Sequence, residues 1–192
     1  MRRLPLSFLA IFAFLMLPVG TPGARAAERV HLRSHAQRLS ADDVKSILVK
    51  HNFFDRTKNK NGAFANDIVD NSNGTVTDMA TGLMWQQEGS PAGMTWAQAK
   101  EYVNKLNRER FAGHTGWRLP TIEELASLMK SGRAKGNLYV HPVFSSKQEY
   151  CWSADSFGPD MAWYASFKAG IIQHIYHFFY YARAVRTVRH DN

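Results

Sequence analysis

Apolar positions along this chain follow two periods, and the elements change where the period changes. Three stretches show helical spacing behind a capping pair. Ser40 and Asp43 lead into Val44, Ile47 and Leu48, which predicts a helix ending near His51. Thr95 and Gln98 open a second helix, with Trp96, Ala99, Val103 and Leu106 as its buried stripe. Its Lys100, Lys105 and Arg108, with Arg110 just beyond, read as a solvated face. Thr121 and Glu124 open a third, whose Ile122, Leu125, Leu128 and Met129 form one apolar stripe. Between these lie shorter runs of extended character. Ile68-Val69 and residues 75–77 flank Asn73-Gly74 as a hairpin. Leu83-Met84-Trp85, residues 150–154 and residues 162–167 read as further strands, and residues 181–188 close the sheet. Short helices among hairpin-linked strands predict a single α+β domain.

The densest signal is residues 113–129. Gly113 and Gly116 allow a tight reversal before Trp117. Trp117, Arg118 and Leu119 read as a short buried strand, which Pro120 must end because proline has no amide hydrogen to donate. Arg118, between two apolar residues, calls for a carboxylate partner.

Composition alters this picture at the ends of the chain. Arg2 and Arg3, the apolar run at 4–17 and Ala24-Arg25-Ala26 have the form of a secretory leader, assigned to 1–26. A flexible lead-in is expected at 27–39 and the folded domain at 40–192, with its core at 73–188. The expected location is the periplasm or outside of a bacterial cell, with no membrane span once the leader is removed. Losing Arg2, Arg3 and Arg25 lowers the formal charge from +8 to +5, a moderate excess that favours acidic partners. Nucleic acid is not expected, since no run of Lys or Arg is dense enough to track phosphates. Cys151 is the single cysteine, so no intrachain disulfide forms and the thiol reads as a buried, inert residue.

Gly116-Trp117-Arg118-Leu119-Pro120-Thr121 with Glu124 resembles the signature of the DUF1566 family, the C-terminal domain of the Legionella collagen-like adhesin. Residues 73–78, 81–86 and 150–153, with Val185-Arg186, are similar to its other motifs in the same order. The Arg-Leu-Pro-Thr element also resembles part of formylglycine-generating enzymes. The resemblance implies a C-type-lectin-like fold and an exported protein of thinly known function, linked in the adhesin to sulfated glycosaminoglycans. Relatives often carry a second cysteine where this chain has Ala184.

Candidate chemistry is sparse. His174 and His177 are three apart, so in a strand they point to opposite faces and cannot share a metal. No metal, cofactor or catalytic group is expected. A formylglycine-type oxidative enzyme would need paired cysteines, and only Cys151 is present. Residues 171–181 carry aromatic or large apolar groups on both alternating faces. A central strand buried on both sides has that pattern. So has a surface that stacks sugar rings or self-associates. On the binding reading the ligand residues are Trp163, Tyr164, His174, Tyr176, His177, Arg183 and Arg186, and the ligand is a polysaccharide, acidic ones such as glycosaminoglycans included. The competing role is an interaction subunit of a cell-envelope assembly that uses residues 171–181.

Overall fold

All three helices start at the capping pairs just named. In the computed structural model, which describes residues 29–188, α1 (Ala41–Lys50), α2 (Trp96–Arg108) and α3 (Ile122–Ser127) each open on a reciprocal capping box. In each, the Ser or Thr hydroxyl accepts from the amide three residues on, and that residue's side chain accepts from the cap amide. The leader assigned to 1–26 lies outside the described residues. The described strands are β1 (Ile68–Asp70), β2 (Thr75–Asp78), β3 (Leu83–Gln86), β4 (Tyr150–Ser156), β5 (Ala162–Ser166), β6 (Ile171–Ile175) and β7 (Val185–Thr187). They pair antiparallel in a four-stranded sheet, β1-β2-β3-β7, and a three-stranded sheet, β4-β5-β6. The α+β class is therefore the one the chain adopts.

Several local expectations change. The hairpin turn spans four residues instead of two: Asn71 donates to the Thr75 carbonyl, and both Ser72 (φ 58°) and Gly74 (φ 83°) are left-handed. Residues 117–119 form no strand. Arg118 alone bridges, exchanging two 3.0 Å backbone bonds with Val185, and the missing amide at Pro120 stops the ladder. Because the Pro120 carbonyl accepts from Ala154 at 2.7 Å, this segment ties β7 of one sheet to β4 of the other. Trp117 is 3 % exposed there, and its backbone is clamped by the Asn107 side chain of α2.

α3 departs from a one-faced stripe, since every residue from Ile122 to Ser127 is buried. Its two carboxylates tolerate this because each has a partner. Glu124 receives both arms of the Arg118 guanidinium at 2.6 Å, and Glu123 lies within ion-pair reach of Arg33 and His51.

The lead-in expected to be flexible is instead a docked strap. Val30 donates to the Ala80 carbonyl, Arg33 grips Asp155 with two 2.8 Å bonds, and Leu39 is buried beneath Trp163, whose indole donates to its carbonyl. Asp155 is fully buried and also accepts from the amides of Gln37 and Ile122, so it fixes strap and α3 together.

Residues 171–181 do not form one central strand either. β6 is the edge of its sheet and stops at Ile175. Asp55 accepts from the Ile172 amide and Lys58 donates to the Ile172 carbonyl, which blocks the start of that open edge. Beyond it Tyr176, Phe178 and Phe179 are exposed, before Tyr180 bridges to Met94 and Tyr181 to Cys151.

Candidate functional site

Among the clefts of the described residues, two contrast in chemistry, one basic and one aromatic. The first lies where β7 meets the Gly113–Gly116 turn, has a volume of about 350 Å³, and is lined by Ser34, Thr115, Gly116, Arg118, Arg186 and Thr187. Arg186 is presented by β7 opposite Met84, with its Nε donating to the Thr115 carbonyl at 3.1 Å. That bond orients the guanidinium. No carboxylate lies within 4 Å of it among the described residues, whereas the charge of Arg118 is met by Glu124. His114 next door is pushed below the usual histidine range, first by partial burial and then by Arg186 and Arg110. The region is electropositive, and Gly116 (φ 82°) keeps its wall open, with no heavy atom near the position a β-carbon would take. Three hydroxyl residues and an arginine with no carboxylate in reach among the described residues have the donor chemistry that an oxyanion matches.

The second cleft, of about 310 Å³, lies between the start of α2 and the chain leaving β6. Trp152 and Ala162 contribute buried carbon and Ile175 a half-buried side chain, while Trp96, Tyr176 and Phe178 contribute more exposed rings. Both indoles are pinned by their N–H groups: Trp96 donates to the Ser153 carbonyl at 2.7 Å and Trp152 to the Met94 carbonyl at 2.8 Å. The Lys100 ammonium sits 3.4 Å from the Trp96 ring centroid, and burial lowers its pKa. Thr95, Asp160 and His177 add polar groups to the lining.

The expected ligand residues are thus scattered. Tyr176 and His177 line the aromatic cleft and Arg186 the basic one. His174, half-buried, stacks on Phe157 with ring centroids 3.8 Å apart and faces a shallow cleft with Gln173 and Lys58. Trp163 is 1 % exposed, holding Leu39, and Tyr164 is 6 % exposed, so neither offers a face to a ligand. Arg183 is also 1 % exposed. It serves as an internal brace, donating to the carbonyls of Gln86 and Gln87 and to Gln148 Oε1, with its guanidinium over the Phe144 ring. The arginine fork read as a ligand group is turned inward to meet the Gln86 carbonyl and the buried Gln148 side-chain oxygen, and it shares the Gln87 carbonyl with the Ser145 amide.

The residues missed are Ser34, Thr115 and Gly116 in one cleft and Trp96, Asp160 and Phe178 in the other. Trp96 carried a usable signal: it is the first residue of α2, where the helix end is open, with Lys100 one turn on. Among the described residues no group of three or more His, Cys, Asp or Glu could hold a metal ion, and no helix is long and apolar enough to cross a membrane. Cys151 is fully buried, and burial pushes its thiol up to about 11.

Against known proteins, the family model described as the Lcl C-terminal domain matches residues 74–189. The match takes in both clefts apart from Ser34, and it omits the strap and α1. No curated protein matches the chain.

Proposed function

The chain belongs to the Lcl C-terminal domain family, and from that premise we propose an exported, non-enzymatic recognition module that holds an acidic polysaccharide against the Arg186 cleft. The observation that carries this reading is an arginine fork aimed by the Thr115 carbonyl, with no carboxylate in reach among the described residues. Sulfate and carboxylate groups match such a fork in shape and charge, and the hydroxyls of Ser34, Thr115 and Thr187 supply further donors. Export rests on the leader-like sequence. Absence of catalysis rests on the chemistry of Cys151, whose buried, high-pKa thiol is a poor nucleophile at neutral pH.

Heparin chromatography tests the reading. The protein should be retained at low salt and released as ionic strength shortens the reach of surface charge to ~3 Å near 1 M. Arg186→Gln should elute at clearly lower salt. No retention at all, or retention indifferent to salt and to Arg186→Gln, would overturn the acidic ligand. A second reading, a subunit of an envelope assembly, is favoured by Phe178 and Phe179, 51 % and 67 % exposed. Light scattering after size exclusion separates the two, since a monomer at high concentration counts against assembly.

A further inference from the structure

We infer that the aromatic cleft is a second, independent binding site, and that its ligand is a neutral saccharide ring. The inference does not rest on the acidic ligand of the Arg186 cleft, because no residue is common to the two linings.

Pinning is the first observation. With its indole N–H committed to the Ser153 carbonyl, Trp96 can offer the cleft only carbon, and its plane is set before any ligand arrives, while Trp152, 1 % exposed and likewise pinned, backs the cleft from below. Tyr176 and Phe178 add two more rings, 53 % and 51 % exposed. A pyranose presents carbon–hydrogen faces of the size of one aromatic ring, and rigid rings contact them at little entropic loss. The volume of about 310 Å³ lies at the small end of ligand pockets, suited to one or two sugar rings and not to a long chain.

Charge narrows the class. Asp160 forms no ion pair among the described residues, and its closest donor is the Tyr176 hydroxyl at 3.4 Å, so its lone pairs are largely unspent. A carboxylate of this kind accepts from two adjacent sugar hydroxyls. It repels an acidic sugar, and the lining itself holds no lysine or arginine, the nearby Lys100 being spent on the Trp96 ring from outside it. A purely apolar protein side chain filling the cleft would strip water from Asp160 and return no hydrogen bond. A quaternary ammonium would suit the rings and one carboxylate charge but offers no hydroxyls to the lone pairs of Asp160, and the choline control below separates it from a sugar. Hydroxyl-rich and uncharged is the class left.

Intrinsic tryptophan fluorescence provides the test, with cellotriose, maltotriose, mannotriose and chitotriose as probes and choline as a cationic control. At least one trisaccharide should give a saturable change. Tyr176→Ala and Asp160→Asn, both at exposed positions, should each weaken it by about tenfold. Arg186→Gln should leave it unaltered, and Tyr176→Ala should leave heparin retention unaltered. The inference falls if none of the four sugars gives a saturable change, if both cleft variants bind as the unmodified protein does, if choline binds more tightly than every sugar, or if Arg186→Gln abolishes sugar binding. Because heparin retention is read separately, either site can fail without the other.

Discussion

Arg183 offers the sharpest trial of the placement of side chains, because sequence patterning made it a ligand residue and the fold makes it a brace. The perturbation is Arg183→Met, which keeps most of the volume and removes the fork. Two buried acceptors then lose the arginine, the Gln86 carbonyl and the side-chain oxygen of Gln148, while the Gln87 carbonyl keeps the Ser145 amide. An orphaned buried acceptor costs about 1–3 kcal/mol. Loss of the 4.5 Å contact between guanidinium and Phe144 adds a smaller amount. Against this, methionine ends the burial of a charge that has no carboxylate within ion-pair distance among the described residues, Glu88 acting on it only from farther away, and several kcal/mol of desolvation are recovered. Burial, the first cause holding the Arg183 pKa below its usual value, works in that direction; we take the lost donors to outweigh it because the fork meets several acceptors at once. We expect a net loss of about 2–4 kcal/mol, a large part of the ~5–15 kcal/mol of a typical domain. With a urea slope of about 2 kcal/mol/M, the unfolding midpoint should fall by roughly 1–2 M. Heparin retention, scaled to folded protein, should not change. A variant with an unaltered midpoint and lost retention would refute the reasoning and restore Arg183 to the surface.

Three further outcomes follow from the same structure. Asp155→Ala leaves Arg33 and the amides of Gln37 and Ile122 without their acceptor; stability should drop by about 3–5 kcal/mol, and amide exchange should rise first at residues 33–39, whereas an unchanged exchange pattern would show the strap is held by other means. His51, His141 and His174 are all pushed below the usual histidine range, burial being the first cause in each, and for His51 it outweighs the opposing pull of Glu123. A histidine with a depressed folded pKa contributes stability fully present above its unfolded value near ~6.5 and lost as pH falls through the folded value. The urea midpoint should therefore be nearly flat between pH 7.5 and 8, above the histidines and below the ionisation of the unfolded Cys151 thiol near ~8.5, and lower at pH 5, and equal midpoints at pH 5 and 7.5 would contradict the assignment. Cys151 should resist iodoacetamide in the native protein and react fully in urea; rapid native labelling would mean the β4 core opens readily.

What the sequence made legible was local. Ser40, Thr95 and Thr121 marked all three helix starts because a capping box is satisfied within four residues and needs no tertiary partner. The demand of Arg118 for a carboxylate was legible for the same reason: Glu124 is one turn into the adjoining helix. Where the answer depended on distant chain, patterning misled. The apolar run at 171–181 could not show that β5 pairs with only one side of β6, or that the chain leaves the sheet at Ile175. Arg183 and Arg186 are three residues apart in the same context, yet one meets Gln148 and the other the Thr115 carbonyl. Both partners come from other parts of the chain, so nothing near either arginine distinguishes brace from ligand group.

The strap raises a different point, about where this family's fold ends. The family match begins at residue 74, but Leu39, Val44, Leu48, Phe53 and Phe54 lie before it and are each no more than 5 % exposed in the same core cluster as Trp85, Leu125 and Trp163. Fully burying five such side chains is worth about 1.5–3 kcal/mol apiece, an upper estimate that still rivals the net stability of a domain. The matched segment cannot therefore keep its observed packing alone in this chain, since the cavity left by removing α1 would expose one side of α3. Asp155 explains how the extension is keyed: it sits in β4, inside the match, yet three of the four groups that donate to its carboxylate oxygens, two from Arg33 and one from Gln37, come from before it. Ser34 on the same strap completes the lining of the Arg186 cleft. The segment outside the family's boundary thus supplies part of the core and one wall of a candidate site.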